Sequence, residues 1–274
     1  MRARPTAVLS YACPRGDSTL HRMEASMCEE HKPTILICDD ERDLCEVLAL
    51  HLLAKGYQTL SAWDGEEALR VIADEKVDLV LTDIRMPLLN GLELVDRLKS
   101  NNVHVPVVIL ISAYADVPVE QALSSGAEAL FTKPFRLSDL VQSTERFLQP
   151  PLDRWRATPA PRPAVMLEER VALGSQGDAL CRGGLGRGGM CLFGADVQLG
   201  LKQRVGFAFD IDGGPFGNLA GAGIVRWARY PEQSNAPPAY GIEFTYLTEP
   251  SRRAFVEWMQ AESPRAYIPN CQYG

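Results

Sequence analysis

The chain has 274 residues, 46% of them hydrophobic and 23% charged, with a net charge of -7. That length accommodates two cores of useful size, and the balance is that of an ordinary globular protein. The acidity argues against a broad electrostatic footprint for DNA or an anionic membrane, and no apolar run approaches the roughly 20 residues that span a bilayer.

Residues 1–32 read as a disordered extension. Arg2 and Arg4 precede an apolar stretch, Ala7 to Cys13, that is broken by Ser10 and Tyr11 and makes a poor signal peptide. Met23 and Met27 are alternative starts for the natural chain. The seven cysteines include no CxxC pair and no zinc spacing, and their odd count and scatter suit a reducing cytoplasm.

From 33 to 148 short apolar runs alternate with amphipathic stretches. The pattern predicts strands at 34–38, 57–61, 77–82, 106–111 and 128–132, and helices at 41–55, 65–75, 89–99, 117–124 and 136–148. Val-, Ile- and Leu-rich strands each followed by a helix give an α/β domain with a doubly wound, five-stranded parallel sheet. A Pro-rich linker, 149–163, comes next. Residues 164–262 then carry many glycines and short alternating segments such as 205–209 and 223–227. They predict an antiparallel sheet or small β-barrel followed by a helix at 251–261, with Phe255, Trp258 and Met259 on its core-packing face. Residues 263–274 read as an irregular tail.

Six residues stand at the ends of four of the apolar runs: Asp39, Asp40, Asp83, Ser112, Lys133 and Pro134. Ligands of an open parallel sheet bind outside the carboxyl ends of its strands, so these residues converge on one spot. Three carboxylates, a hydroxyl and an ammonium suit a metal ion and a phosphoryl group. Asp83 is the candidate nucleophile, because an Asp carboxylate can attack phosphorus to form an acyl phosphate. Its charge repels the incoming group, which calls for Mg2+, a cation that takes one or two carboxylates and keeps several waters. The expected ligands are Asp40 and Asp83 directly, Asp39 through water, and the backbone carbonyl of Arg85. Lys133 pairs with a phosphoryl oxygen as a point charge, and Ser112 donates to another.

These stretches resemble the receiver domain of two-component response regulators: Ile37 to Glu41, Thr82 to Pro87 with Gly91, Ser112-Ala113, and Lys133 to Phe135. The resemblance covers about residues 34–147 and implies the flavodoxin-like fold. It implies that Asp83 takes phosphate from a histidine kinase or phosphotransfer protein, that Asp39 and Asp40 hold magnesium, and that Ser112 and Lys133 sense the phosphate. The family's aromatic switch position, three residues before the lysine, is Leu130 here, with Phe131 next to it on the opposite face of the strand.

In the second domain, residues 184–189 match GxGxxG literally, but the stretch Met190 to Gly194 is too short and glycine-bounded to open the helix that a dinucleotide fingerprint needs. Leu185 to Leu192, Gly200 to Val205, Gly221 to Trp227 and Tyr240 to Phe244 instead resemble the PilZ domain, a small barrel that in many bacterial proteins binds cyclic di-GMP. The family's D/N-x-S-x-x-G motif falls on Gly184, Gly186 and Gly189, where only the last agrees. Its RxxxR motif is half present, with Arg170 first and Gly174 second. The resemblance therefore implies a cytoplasmic, non-enzymatic phosphorelay regulator whose PilZ-like domain engages an unknown partner protein. The alternatives are a dual-input regulator that also binds cyclic di-GMP, a nucleotide-dependent oxidoreductase using the glycine run, and a transcription factor. Neither DNA binding nor membrane insertion is expected.

Overall fold

The computed structural model describes residues 32–113, 117–157, 163, 165–172, 183–193, 197–212, 217–230 and 238–270. The extension to residue 31, with Met23 and Met27, lies outside them, as do residues 158–162, the Arg170 side chain, Gly174 and residues 271–274.

The first half is the expected alternation. Strands β1 (Thr34–Cys38), β2 (Gln58–Ala62), β3 (Leu79–Asp83), β4 (Val107–Ser112) and β5 (Ala129–Thr132) are interleaved with five helices. These are α1 (Arg42–Ala54), α2 (Gly65–Asp74), α3 (Gly91–Asn101), α4 (Val119–Ser125) and α5 (Leu137–Leu148). All strand pairings are parallel, in the order β2-β1-β3-β4-β5. Every residue of β1, β3 and β4 is buried, because helices cover both faces of the sheet. Leu36, Val80, Val108 and Leu110 pack toward α2 and α3, while Ile35, Ile37, Leu81 and Ile109 pack toward α1 and α5. Strand order reverses between β1 and β3, which places the ends of those two strands on either side of the switch point.

Directly after α5 the first described residues of the Pro-rich stretch are not extended. Pro151–Arg154 forms one helical turn, α6, with its proline at the first position, where the missing N–H is no loss. Trp155 then drops into the core of the second half, 1% exposed.

That second half is a six-stranded sheet. Its strands are β6 (Val165–Ala172), β7 (Gly183–Leu185), β8 (Gly189–Phe193), β9 (Arg204–Asp212), β10 (Asn218–Arg229) and β11 (Ala239–Leu247), in the order β6-β9-β10-β11-β8-β7. The closed antiparallel barrel expected from sequence is corrected in two respects. The pair β6–β9 is parallel, made possible by the long excursion through β7 and β8 between them. Among the described residues the edge strands β6 and β7 do not meet, so the sheet stays open. Its faces are instead covered from outside. Helix α7 (Glu249–Glu262) lies on one face, burying Phe255 and Met259 against Phe207, Phe209, Phe244 and Trp155.

The other face lies on the parallel domain. Strand alternation assigns Met190 and Leu192 to the α7 side, and Cys191 and Phe193 to the receding side, where they join the core of α1 and α5. In β11, Tyr240, Ile242 and Phe244 face α7, while Ala239 joins the opposite core. A bulge in β10 leaves Arg226 unmatched between Val225 and Trp227. Val225 therefore faces α7 and Trp227, two residues on, faces the parallel domain, against the simple period of two.

Two buried carboxylates carry charge across this contact. Glu128, just before β5, accepts from Lys99 Nζ at 3.0 Å, from the N–H of Val108 at 2.7 Å, and from Arg187 of the second sheet. Glu243 of β11 accepts from Arg146 of α5 at 2.6 Å, from the Tyr267 hydroxyl at 3.1 Å, and from Arg226. Burial alone would push both carboxyls up; Arg187 with Lys99, and Arg146 with Arg226, outweigh it and hold both below their ordinary value of 4.5. Burial pushes the Lys99 ammonium down to about 8, despite Glu128.

A carboxyl depressed on folding contributes stability that is full above its unfolded pKa and is lost as pH falls through its folded one. The part of the stability that these two carboxyls contribute should thus hold from pH 7 down to about 4.5 and then fall. Glu128→Gln should lower stability at pH 7 by about 3 kcal/mol, since it strands buried Lys99 and Arg187, and Glu243→Gln by less, since Arg146 and Arg226 are partly exposed. The deficit relative to wild type should shrink in acid. Thermal melts across that range check it, and a pH-independent deficit would contradict the assignment.

Candidate functional site

The predicted cluster lies at the carboxyl ends of β1, β3, β4 and β5, and backbone bonds tie those ends together. Ile84 N–H donates to Ile111 O at 2.8 Å, and Lys133 N–H donates to Ser112 O at 2.7 Å. Pro134 follows Lys133 through a cis peptide bond. Gly91, at the start of α3, lies so close to the carbonyl of Asp83 that a Cβ would overlap it, and its N–H donates to Ile84 O at 3.0 Å. Thus the β3–α3 loop returns tightly beneath Asp83. Asn90 and Glu93 cap α3 reciprocally, which fixes the point where that loop re-enters helix.

The centre of the cluster is the Lys133 ammonium. It stands 3.1 Å from Asp39 Oδ2, 2.9 Å from Asp83 Oδ1 and 3.1 Å from Glu41 Oε1. The second oxygens of both aspartates are already used. Asp39 Oδ1 accepts from the N–H of Glu41 at 2.9 Å, and Asp83 Oδ2 accepts from the N–H of Arg85 at 2.5 Å. Each carboxylate is thereby aimed, with one oxygen turned to a shared cation. Burial pushes the Asp39 carboxyl up, and the Glu41 N–H and Lys133 only partly oppose it. Burial also works to lower the Lys133 pKa, but its hydrogen bonds to Asp83, Glu41 and Asp39 win, and it is held above its ordinary value.

Of the residues read from sequence, the structure brings Asp39, Asp83 and Lys133 into contact and sets Ser112 on the adjoining strand end. Ser112 is buried and its hydroxyl donates to Ala113 O at 2.6 Å. Asp40 is exposed. Arg85 meets Asp83 through its N–H. Among the described residues no three metal-ligating side chains are grouped as a ready cage. Glu41, whose carboxylate joins the Lys133 cluster, was not singled out from sequence, although it continues the acidic run of Asp39 and Asp40. Leu130 packs with the α2–α3 core and Phe131 with the α1–α5 core, where its ring meets Phe135 edge-on at 5.9 Å, so the two side chains do face opposite ways.

The three glycines of the altered motif have a structural role. Gly184 pairs with Cys191 in the short β7–β8 ladder, and Gly186 N–H donates to Gly189 O at 2.9 Å, closing a tight turn. At the turn's tip is Arg187, 3% exposed, whose guanidinium reaches Glu128, Gly126 O at 2.6 Å and Arg265 O at 3.2 Å. Sequence reading gave Arg187 no part; a lone arginine among glycines, next to an apolar strand, was the available signal.

Comparison with known proteins agrees with this geometry. Residues 35–145 match the response regulator receiver domain. The chain is 35% identical over 156 residues to transcriptional regulatory protein GlrR of Escherichia coli strain K12, covering 54% of this chain and 35% of that protein. It is 37% identical over 118 residues to the phosphate regulon transcriptional regulatory protein PhoB of Pseudomonas aeruginosa, covering 42% and 52%. The chain thus spans only about a third to a half of the length of these relatives. Among solved structures it is similar to response regulator protein TrrA of Thermotoga maritima in complex with Mg2+ and BeF, at 29% identity and a TM-score of 0.38, covering 42% of this chain and 98% of that one.

Replacing Lys133 by methionine leaves buried Asp39 without its counter-charge. The variant should lose about 2 kcal/mol at pH 7, less than a fully buried pair would because Lys133 is partly exposed. Asp39 should titrate at still higher pH, which NMR of its carboxyl can follow; an unchanged Asp39 titration would show that Lys133 does not neutralise it. With its strand order, its aimed aspartates and this match, the segment from 35 to 145 is a response regulator receiver domain.

Proposed function

We propose that the protein is a phosphorelay response regulator that accepts a phosphoryl group on Asp83 and passes the change to its C-terminal sheet. The observation that carries this reading is the pair Asp39 and Asp83, each fixed by a backbone N–H and each offering one oxygen to a single shared cation. In the transfer, Asp83 Oδ1 attacks phosphorus and forms an acyl phosphate, while the P–N bond of a phosphohistidine breaks and the departing imidazole nitrogen takes a proton. The donor is a histidine kinase or phosphotransfer protein.

The donor set fits magnesium, which binds through one or two carboxylates and keeps its waters. Asp39 and Asp83 would hold it, with the Arg85 carbonyl and Asp40 beside them. Bound there, it supplies positive charge to the phosphoryl oxygens. Lys133 would then leave the aspartates for a phosphoryl oxygen, and the buried hydroxyl of Ser112 would turn from Ala113 O to another.

For the output, the PilZ-like reading rests on the sequence stretches Leu185 to Leu192, Gly200 to Val205, Gly221 to Trp227 and Tyr240 to Phe244. The partner is a protein, and the activity is switching without catalysis. The relatives GlrR and PhoB are named as transcriptional regulators. A DNA-binding output is not extended to this chain: its net charge is -7, and Arg187 and Arg229 turn to the receiver carboxylates Glu128 and Glu120. Cyclic di-GMP is the second input only if the turn at 184–189 leaves the receiver, since its arginine is occupied there. Among the described residues no helix is long and apolar enough to cross a membrane, and the reading places the protein in the cytoplasm.

Incubation with acetyl phosphate and magnesium should label the wild-type chain with an acid-stable, base-labile phosphate on Asp83. Asp83→Asn should abolish the label. A label that survives this substitution would remove Asp83 as the acceptor.

A further inference from the structure

The described segment after α7 has no regular structure, yet it buries two large side chains. Tyr267 is 1% exposed and Ile268 fully buried. Residues 265–270 form a strap wedged between the two halves and bonded to both. On the receiver side, Tyr267 N–H donates to Leu123 O at 2.9 Å, Arg265 Nε donates to Ser125 O at 3.2 Å, and the Arg265 guanidinium pairs with Asp96. On the sheet side, the N–H groups of Arg187 and Gly188 donate to Ala266 O and Tyr267 O, at 2.8 and 2.9 Å. The Tyr267 ring lies against Phe147 of α5, edge-on at 5.7 Å, and its hydroxyl reaches Glu243. A Cβ on Gly188 would overlap that ring, so the glycine turn makes room for the tyrosine.

The receiver carbonyls that the strap holds, Leu123 O and Ser125 O, belong to one short helix. The last four carbonyls of any helix lack partners within it. In α4, with seven residues, those near its end are served by the C-terminal half: Leu123 O by Tyr267, Ser125 O by Arg265, and the adjoining Gly126 O by Arg187. At the other end of α4, Glu120 is held by Arg229 at 2.8 Å, and Arg229 also bonds Asn270 of the strap at 3.0 Å. Six residues of sequence separate Ser112 from the start of α4 at Val119. A helix this short, capped at its carboxyl end by another part of the chain, keeps its position only while that part stays.

We propose that the strap 265–270, with Tyr267 as its wedge, is a latch that fixes α4 and closes the second sheet over the receiver. The latch opposes the phosphorylated arrangement of the site. This rests on the reading of Asp83 as phosphoacceptor. Coupling between two sites is reciprocal. If phosphoryl binding at Asp83 loosens the latch, loosening the latch must strengthen phosphoryl binding.

The test uses full-length wild type, Tyr267→Ala and the milder Arg265→Ala, each titrated calorimetrically with beryllofluoride in saturating magnesium. Hydrogen exchange serves as the control for folding. The latch requires tighter binding by about tenfold for Tyr267→Ala, and by a smaller factor for Arg265→Ala. In both, amides of 119–127 and 186–189 should lose protection while those of β1 and β3 keep it. Equal affinity in all three proteins, with β1 and β3 protected, overturns the latch. Loss of protection throughout Tyr267→Ala would leave Arg265→Ala to decide, on the same criterion. Absence of binding in every form would strike the reading of Asp83 as well, and so differs from failure of the latch alone.

Discussion

A carboxylate with no access to water must be surrounded by cations and N–H groups, and Glu128 is such a group. It has three donors, two from the receiver and one, Arg187, from the sheet beyond it. The receiver alone supplies only Lys99 and Val108, and Lys99 is itself strained by burial, its ammonium pushed down to about 8. Bringing the arginine shares the negative charge between two cations but also requires the second sheet to sit against the first. The contact is therefore specified by charge as much as by apolar area. Glu243 repeats the arrangement in the opposite sense, as a carboxylate of the sheet met by Arg146 of the receiver. Each half carries one buried acid that the other half completes. Removal of either half would expose groups that fold badly alone, which ties the register of the two halves to two specific pairs.

The first half of the chain was legible because its physics is local. Five apolar runs with helix-period stretches between them give strands and helices within one or two residues of those observed. Acidic and basic residues at the ends of such runs converge by topology alone. Asp39, Asp83 and Lys133 needed nothing else. What sequence could not give was the state of the cluster: Lys133 sits between the aspartates, and Glu41 shares it. Asp39, expected at one remove through water, is the better-buried acid, and Asp40 faces solvent.

The second half was less legible for reasons that are also physical. A parallel pairing between β6 and β9 depends on a path through some thirty intervening residues and leaves no local signature. The bulge at Arg226 reverses the inward and outward faces of β10 midway, so Trp227, which alternation puts with Val225, turns to the receiver instead. Residues 263–270 have no period, and irregular sequence reads as a tail. Only the packing shows that Tyr267 and Ile268 are core. The prolines at 150 and 151 misled in a different way, because a proline that stops one helix is well placed to begin the next.

Strands β4 and β5 join the two centres of charge. At their amino ends, Val108 and Glu128 take part in the cluster that Arg187 completes; at their carboxyl ends, Ser112 and Lys133 border Asp83. Five residue steps of extended chain lead from Glu128 to Lys133, about 17 Å at the rise of a parallel strand. Strand β4 is buried throughout while the edge strand β5 is only partly covered, so β4 is the more rigidly held of the two. The Lys133 end of β5 borders Asp83, and the other end of the same strand carries the carboxylate on which the domain contact depends. Helix α4, held at Glu120 by Arg229 and at its far end by the strap, is the second route between the same two places. Both routes end at the contact in which Arg187 completes Glu128 and Arg146 completes Glu243.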